Sequence, residues 1–304
     1  MRLISNRHSF RALLFGMLLL SPAIGTLHAQ SNRRLTIAVV DFGNSEFART
    51  AADTVAATLI KANATVLDRD QVRAAARGAG YNGSLNMSLS EARTLGETIG
   101  SDFMLLGDAQ TLRRSPSSGP VYYESYASVF AVSSRTGKLI TWERPNFRAS
   151  DQKSAERALL DELAKGTLVG RLFSAINEAE QDERAERALF VDSETPVIEE
   201  APDDEKLAEA EGLRLPKPFR RFVPAYPDSA AAAEAEAMVD VVVDLDSRGE
   251  ITHSEVVRWA GFGLDQATLE TVRRLHFFPA MRNGTAMPIR VLLRYNFRKP
   301  PVTN

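Results

Sequence analysis

Residues 178 to 211 carry fourteen acidic side chains against three basic ones (Arg184, Arg187 and Lys206), a net −11 in a chain whose total is −2. The rest of the chain is therefore left at +9. A stretch of this composition repels itself and has too little apolar surface to bury, so it is expected to be a solvated linker, 178–217. Pro196, Pro202, Pro216 and Pro218 keep it from being one helix. A charged helix running on through 178–189 fits that part equally well. With 304 residues the chain can supply two cores, one on each side of the linker.

Ahead of the linker, residues 30–177 read as an alternating β/α unit. Leu35 to Val40 is nearly unbroken apolar, as in a parallel strand covered on both faces. Phe47, Ala51, Val55 and Leu59 recur every four residues on one helical face. Thr65 to Leu67 gives a short strand, Ser88-x-x-Glu91 a capping box, and Asp102 to Gly107 another apolar strand. From Val121 the period becomes two, and Arg135-Thr136-Gly137-Lys138 turns the chain into a return strand at 139–142, an antiparallel edge hairpin. A single helix is expected over about 154–179.

The first 29 residues fit a secretory signal peptide. Arg2, Arg7, His8 and Arg11 precede a short apolar run from Ala12 to Gly25, and Ala29 offers a cleavage point before Gln30. The run is shorter than the ~20 residues that span a bilayer and is interrupted by Ser21-Pro22. Cleavage places the protein in the periplasm; retention would anchor it in the inner membrane facing the same space. With no cysteine, lipid anchoring, disulfides, thiolate metal sites and a cysteine nucleophile are all excluded.

Beyond the linker, 218–304 forms a second pattern. Val239, Val241, Val243 and Leu245 alternate with Asp240 and Asp244, Ser247-Arg248-Gly249 turns the chain, and 251–258 returns. A helix over 264–275 leads to a final strand at 289–297, whose odd positions Ile289, Val291, Leu293, Tyr295 and Phe297 face the core. The fold class is thus mixed, α/β and α+β: a β/α domain with an edge hairpin, an acidic linker, and a small domain with a three-stranded antiparallel sheet and helices.

VPAYPDSA at 223–230, MVDVVVDLDSRGEIT, GFGLDQATLETVRRLHFFPA at 261–280 and NGTAMPIRVLLRYNF at 283–297 together resemble the TonB C-terminal domain. The likeness departs from that family at Ala237-Met238, where a glycine often precedes the first strand. Residues 34–148, through IAVVDF, VLDRDQV, LSEARTLGETIGSDFMLLGDA and RTGKLI, resemble the N-terminal envelope domains of the CsgG/TolB type. The first resemblance implies a non-enzymatic adaptor or transducer that binds an outer-membrane receptor or another envelope protein next to its last strand. The expected contact residues are Arg290, Val291, Leu292, Leu293, Arg294, Tyr295, Asn296 and Phe297. An extended peptide added to that edge would bond to its backbone, and proline at Val291 or Leu293 is expected to prevent this. Five or six such bonds at a net ~1 kcal/mol fall short of the ~8 kcal/mol of a micromolar complex, so side chains or tethering must add the rest.

Catalytic chemistry finds little support. After the leader only His253 and His276 remain, in different elements and without metal-ligand spacing. The rival reading, a periplasmic hydrolase or ligand-binding enzyme, requires a deep polar pocket near Asp41, Asp68 and Asp108, at the strand ends of the first domain. Gly78-Ala79-Gly80-Tyr81-Asn82-Gly83 spells a dinucleotide motif, but a helix precedes it where a strand is needed, so it is read as a helix end and loop. No catalytic residue, metal or cofactor is expected. Arg273, Arg274, Arg282, Arg290, Arg294 and Arg298 give the last domain a basic face, yet export removes nucleic acid as its ligand, leaving the chain's own acidic linker, anionic lipid or a receptor.

Overall fold

The computed structural model describes residues 35–189, 198–202 and 204–299. The expected leader lies outside them. Apolar residues at consecutive positions of the first strand send side chains to both faces, and the sheet is accordingly covered on both. β1 (Thr36–Val39) pairs in parallel with β2 (Thr65–Val66) and β4 (Phe103–Arg114). Between these lie α1 (Glu46–Lys61), α2 (Arg69–Gly78), β3 (Met87–Ser88) and α3 (Leu89–Ile99). β4 then pairs antiparallel with β5 (Tyr122–Ser133), which holds β6 (Leu139–Glu143) and β7 (Asn146–Ala149) along its other side. The edge hairpin at 139–142 is present as β5 and β6, and the capping box at Ser88 and Glu91 closes as the spacing requires.

Ile37, Val39, Phe103, Leu105, Val129 and Ala131 pack against α1, α4 (Gln152–Ala164) and α5 (Thr167–Leu189) on one face. The single helix expected over 154–179 is thus two. Gly166, at φ +87°, takes a left-handed turn between them that a side chain would resist. α5 also runs on to Leu189, twelve residues into the acidic stretch, as the charged-helix reading of 178–189 had it. Its Glu183 is buried, held at 2.7 Å by Arg135 and at 3.2 Å by Thr136 Oγ1, while most of its neighbours there are exposed. The burial of Glu183 was not legible from the charge count because its cation lies 48 residues upstream.

The second core belongs to 199–299. After α6 (Glu205–Ala210) come β8 (Leu213–Arg214), β9 (Lys217–Pro218), α7 (Asp228–Ala233), β10 (Ala237–Leu245), β11 (Ile251–Trp259) and α8 (Leu264–Val272). β12 (Phe277–Phe278), β13 (Ala280–Arg282), β14 (Thr285–Met287) and β15 (Ile289–Phe297) complete the chain. Valines 239, 241 and 243 are fully buried with Leu264, Val272 and Ile289. β12 pairs with β9, and β13 with β14 and β8, so the downstream end of the acidic stretch is stitched to the last domain.

The main sheet of this part has four strands, in the order β15-β10-β11-β3. Its fourth strand comes from the N-terminal part, where Met87 and Ser88 pair with Trp259 and Arg258. A two-residue strand has no period to read, and its partner is about 170 residues away. Asn86 fixes the junction. Its side chain donates to the carbonyls of Met238 and Trp259, both at 2.7 Å, and accepts from Met238 N–H at 3.0 Å. A third cluster of buried side chains therefore belongs to both parts, joining Ala38, Met104, Leu106, Phe130 and Val132 to Trp259. The two expected cores exist, but with this third one the described residues form a single compact unit.

Candidate partner-binding edge

The four-stranded sheet has two outer strands, and β3 closes the β11 side only over Arg258 and Trp259. β15 lies at the other end, paired along all nine residues with β10, from Phe297 opposite Ala237 to Ile289 opposite Leu245. The sequence pattern that built this strand is visible in its burial. Ile289 and Phe297 are buried, Val291, Leu293 and Tyr295 pack against the same core, and Leu292 is 45% exposed.

The arginines on the opposite face are committed to carboxylates. Arg290 forks onto Asp244 at 2.6 and 2.8 Å, and Arg294 onto Asp240 at 2.8 and 3.0 Å. Arg258, on β11, also approaches Asp240 at 3.6 Å and meets Glu91 at 3.0 Å. Asp240 and Asp244 are nearly fully buried, which only paired carboxylates sustain. The hydrogen bonds from Arg290 hold the Asp244 carboxyl below the usual carboxylate range despite its burial. The alternation Asp-x-x-x-Asp on β10 against Arg-x-x-x-Arg on β15 is thus cross-strand ion pairing, and these arginines do not present a basic surface to nucleic acid.

The backbone on the outer side of β15 is partly in use. Arg290 N–H donates to Glu199 C=O, and Ala201 N–H donates to Arg290 C=O, each at 2.8 Å, forming a parallel bridge centred on Glu200. Both peptide groups of Arg290 therefore point away from β10. By strand alternation the outward groups are those of residues 290, 292, 294 and 296, while 291, 293 and 295 bond to β10. This corrects the choice of proline probe: at Val291 or Leu293 it would break the sheet itself. Of the eight expected contact residues, the even-numbered ones present backbone and the odd-numbered ones hold the core.

The acidic residues proposed for the rival site have other work. Asp41 pairs with Arg69 at 2.6 Å and Arg73 at 2.8 Å; burial alone would raise its pKa, but the Arg73 hydrogen bond and both positive charges lower it. Asp68 caps α2, accepting from the N–H groups of Asp70 and Gln71 at 3.0 Å. Asp108 accepts from Tyr126 Oη at 3.1 Å, and burial with that charge pushes the phenol up to about 12. A pocket of about 600 Å³ does open beside the first sheet, but it is lined by Ser45, Glu46, Thr50, Gln110, Gln152 and Glu156 rather than by these aspartates. Gly78 ends α2, with Gly80 and Gly83 following in left-handed loop conformations. His276 lies 3.1 Å from Glu250 on the surface, and no group of three or more metal-binding side chains occurs among the described residues. No helix of the described residues is long and apolar enough to cross a membrane.

With the antiparallel strands, the helix between the second and third of them and the outer β15 in place, the family comparison is decisive for this part. Residues 223–298 match the Gram-negative bacterial TonB protein C-terminal family. No curated protein matches the chain. Among solved structures, the TonB C-terminal domain of Pseudomonas aeruginosa is 23% identical, over 29% of this chain and 90% of that one, with a TM-score of 0.25. Lipoprotein GNA1162 of Neisseria meningitidis is 18% identical, covering 47% of this chain and 99% of that one, at a TM-score of 0.32. The PelC dodecamer of Paraburkholderia phytofirmans is 13% identical, covering 44% and 86%, at 0.28. The resemblance read in 223–297 is thus a match of the TonB-type domain, whose family consists of non-enzymatic envelope proteins.

Proposed function

We propose that this protein is a non-enzymatic adaptor or transducer of the bacterial envelope, which captures an outer-membrane or periplasmic partner by adding an extended segment of it to β15. The observation that carries the reading is the position of β15: outermost in its sheet, complete along its length, with the peptide groups of Arg290, Leu292, Arg294 and Asn296 directed outward. The family match of 223–298 supports the class of partner. The expected leader supports the periplasm as the place.

An adaptor fits better than a transducer that pulls through an extended linker. A stretch of 38 residues from Glu178 to Leu215 would reach at most ~125 Å if fully extended. Here α5, the Glu199 bridge, α6 and β8 fold much of that stretch back onto the protein. Force applied through it would first have to undo those contacts.

The test uses a photo-crosslinking amino acid at Asn296 in living cells, with crosslinked envelope proteins identified by mass spectrometry. Leu292→Pro removes one outward N–H and none that serves β10, so it should abolish the crosslink while leaving the melting temperature nearly unchanged. Crosslinking that persists in a folded Leu292→Pro protein refutes edge addition.

A further inference from the structure

The edge of β15 already holds a strand-like segment, and that segment is acidic. We infer that this edge is a site for an extended acidic segment running parallel to β15, and that residues 199–201 occupy its Arg290 end in the chain by itself; the inference rests on the edge-addition reading above.

Three contacts define the chemistry recognised. The backbone of residues 199–201 exchanges two hydrogen bonds with Arg290, as the next strand of a sheet would. The Glu199 carboxylate is gripped by both terminal nitrogens of Arg282, at 2.5 and 3.0 Å. Arg282 belongs to β13, outside the strand that supplies the backbone, and its neighbour in register is Leu213 of β8. Charge and backbone are therefore read by two different elements, which gives the edge a preference that a bare strand would lack. Ala201 packs on the second core, while Glu200 adds its negative charge to that of Asp244 near Arg290.

The contact is also short. The bridge is a single residue pair, Glu200 with Arg290. A segment so brief holds the edge chiefly because it is tethered there, at an effective concentration in the millimolar range for a short linker. A partner offering a longer acidic segment, which could also reach Leu292, Arg294 and Asn296, would displace it. The acidic stretch then acts as a resident competitor, so that partner capture depends on how well the partner imitates and extends it.

The test needs no partner. A ¹⁵N-labelled chain from Gln30 onward is compared with a variant in which residues 198–202 are replaced by glycine and serine, following the Arg290 amide by hydrogen exchange and chemical shift. The native chain should protect that amide at least about tenfold more than the variant. A synthetic peptide of residues 198–202 with neutral ends, added to the variant at millimolar concentration, should move the Arg290 resonance back toward its native position. The same peptide with both glutamates changed to lysine should not, and Arg282→Glu should invert that preference. Equal exchange in the two chains overturns the inference, as does an acidic peptide that acts no better than its lysine counterpart. Neither result touches the Leu292→Pro crosslinking experiment, which judges edge addition separately.

Discussion

Asp265 shows how a single carboxyl can be tuned by a turn. Its two oxygens accept the N–H groups of Ala260 and Gly261, each at 2.8 Å, where the chain leaves β11 for α8. Burial outweighs these bonds and pushes its pKa up to about 6, from an ordinary value of 3.8. The sign follows: a folded-state pKa above the unfolded one means stability present below about pH 4 and lost as the pH rises through about 6. The shift of roughly two units corresponds to about 3 kcal/mol at most. Asp265→Asn keeps an acceptor and cannot ionise, so relative to the native protein it should gain up to about 3 kcal/mol between pH 4 and pH 7. Urea unfolding of both proteins at the two pH values measures this. Comparing the pair removes the opposite trend from Asp41, Asp244 and Glu91, whose lowered pKa values cost stability as pH falls. The Leu-Asp pair was legible as part of the TonB-like pattern, but not the carboxylate's role as a turn clamp, because its partners are backbone groups.

At the scale of elements, β10 and β15 are joined by a core on one face and by ion pairs on the other. Valine alternation made the first visible in the sequence. The second was hidden, since a count of arginines reads as a basic face until the register sets Arg290 and Arg294 opposite Asp244 and Asp240. Arg290→Ala should leave Asp244, whose side chain is 7% exposed, without its fork. The cost should be about 2–3 kcal/mol, below the full buried-pair value because Arg290 itself is partly solvated. Replacing both residues, Arg290→Met with Asp244→Leu, should recover most of it, since two apolar side chains need no partner. Denaturant midpoints of the three proteins decide the matter. A double variant as unstable as Arg290→Ala would mean that the guanidinium serves something other than Asp244. The short strands β3, β8 and β9 were not legible: two residues carry no periodicity, and only a distant partner makes them strands.

For the whole molecule, the decisive residue is Trp259. It is 2% exposed, donates Nε1–H to Gly137 C=O at 2.9 Å, and stacks on Phe130 with ring centroids 5.9 Å apart. Gly137 has φ +74° and lets the Leu89 backbone pack against it, where a Cβ would lie 2.1 Å from Leu89 C=O. Phe262 adds edge contacts to Phe130 and Trp142, both at 5.3 Å between centroids. Reading the chain as two domains was reasonable from the acidic stretch between them, because hydrophobic patterning identifies which residues are buried but not which core receives them. Trp259 ends a strand of the second pattern and is buried in the first. Calorimetry should therefore find one unfolding transition for residues 30–304, with the van't Hoff enthalpy equal to the measured one. Trp259→Ala should lower stability by about 3–5 kcal/mol through the cavity it leaves. It should also divide the melt into two transitions, because the third cluster is what couples the halves. Two transitions in the native protein would show that each core stands alone and that Trp259 merely rests between them.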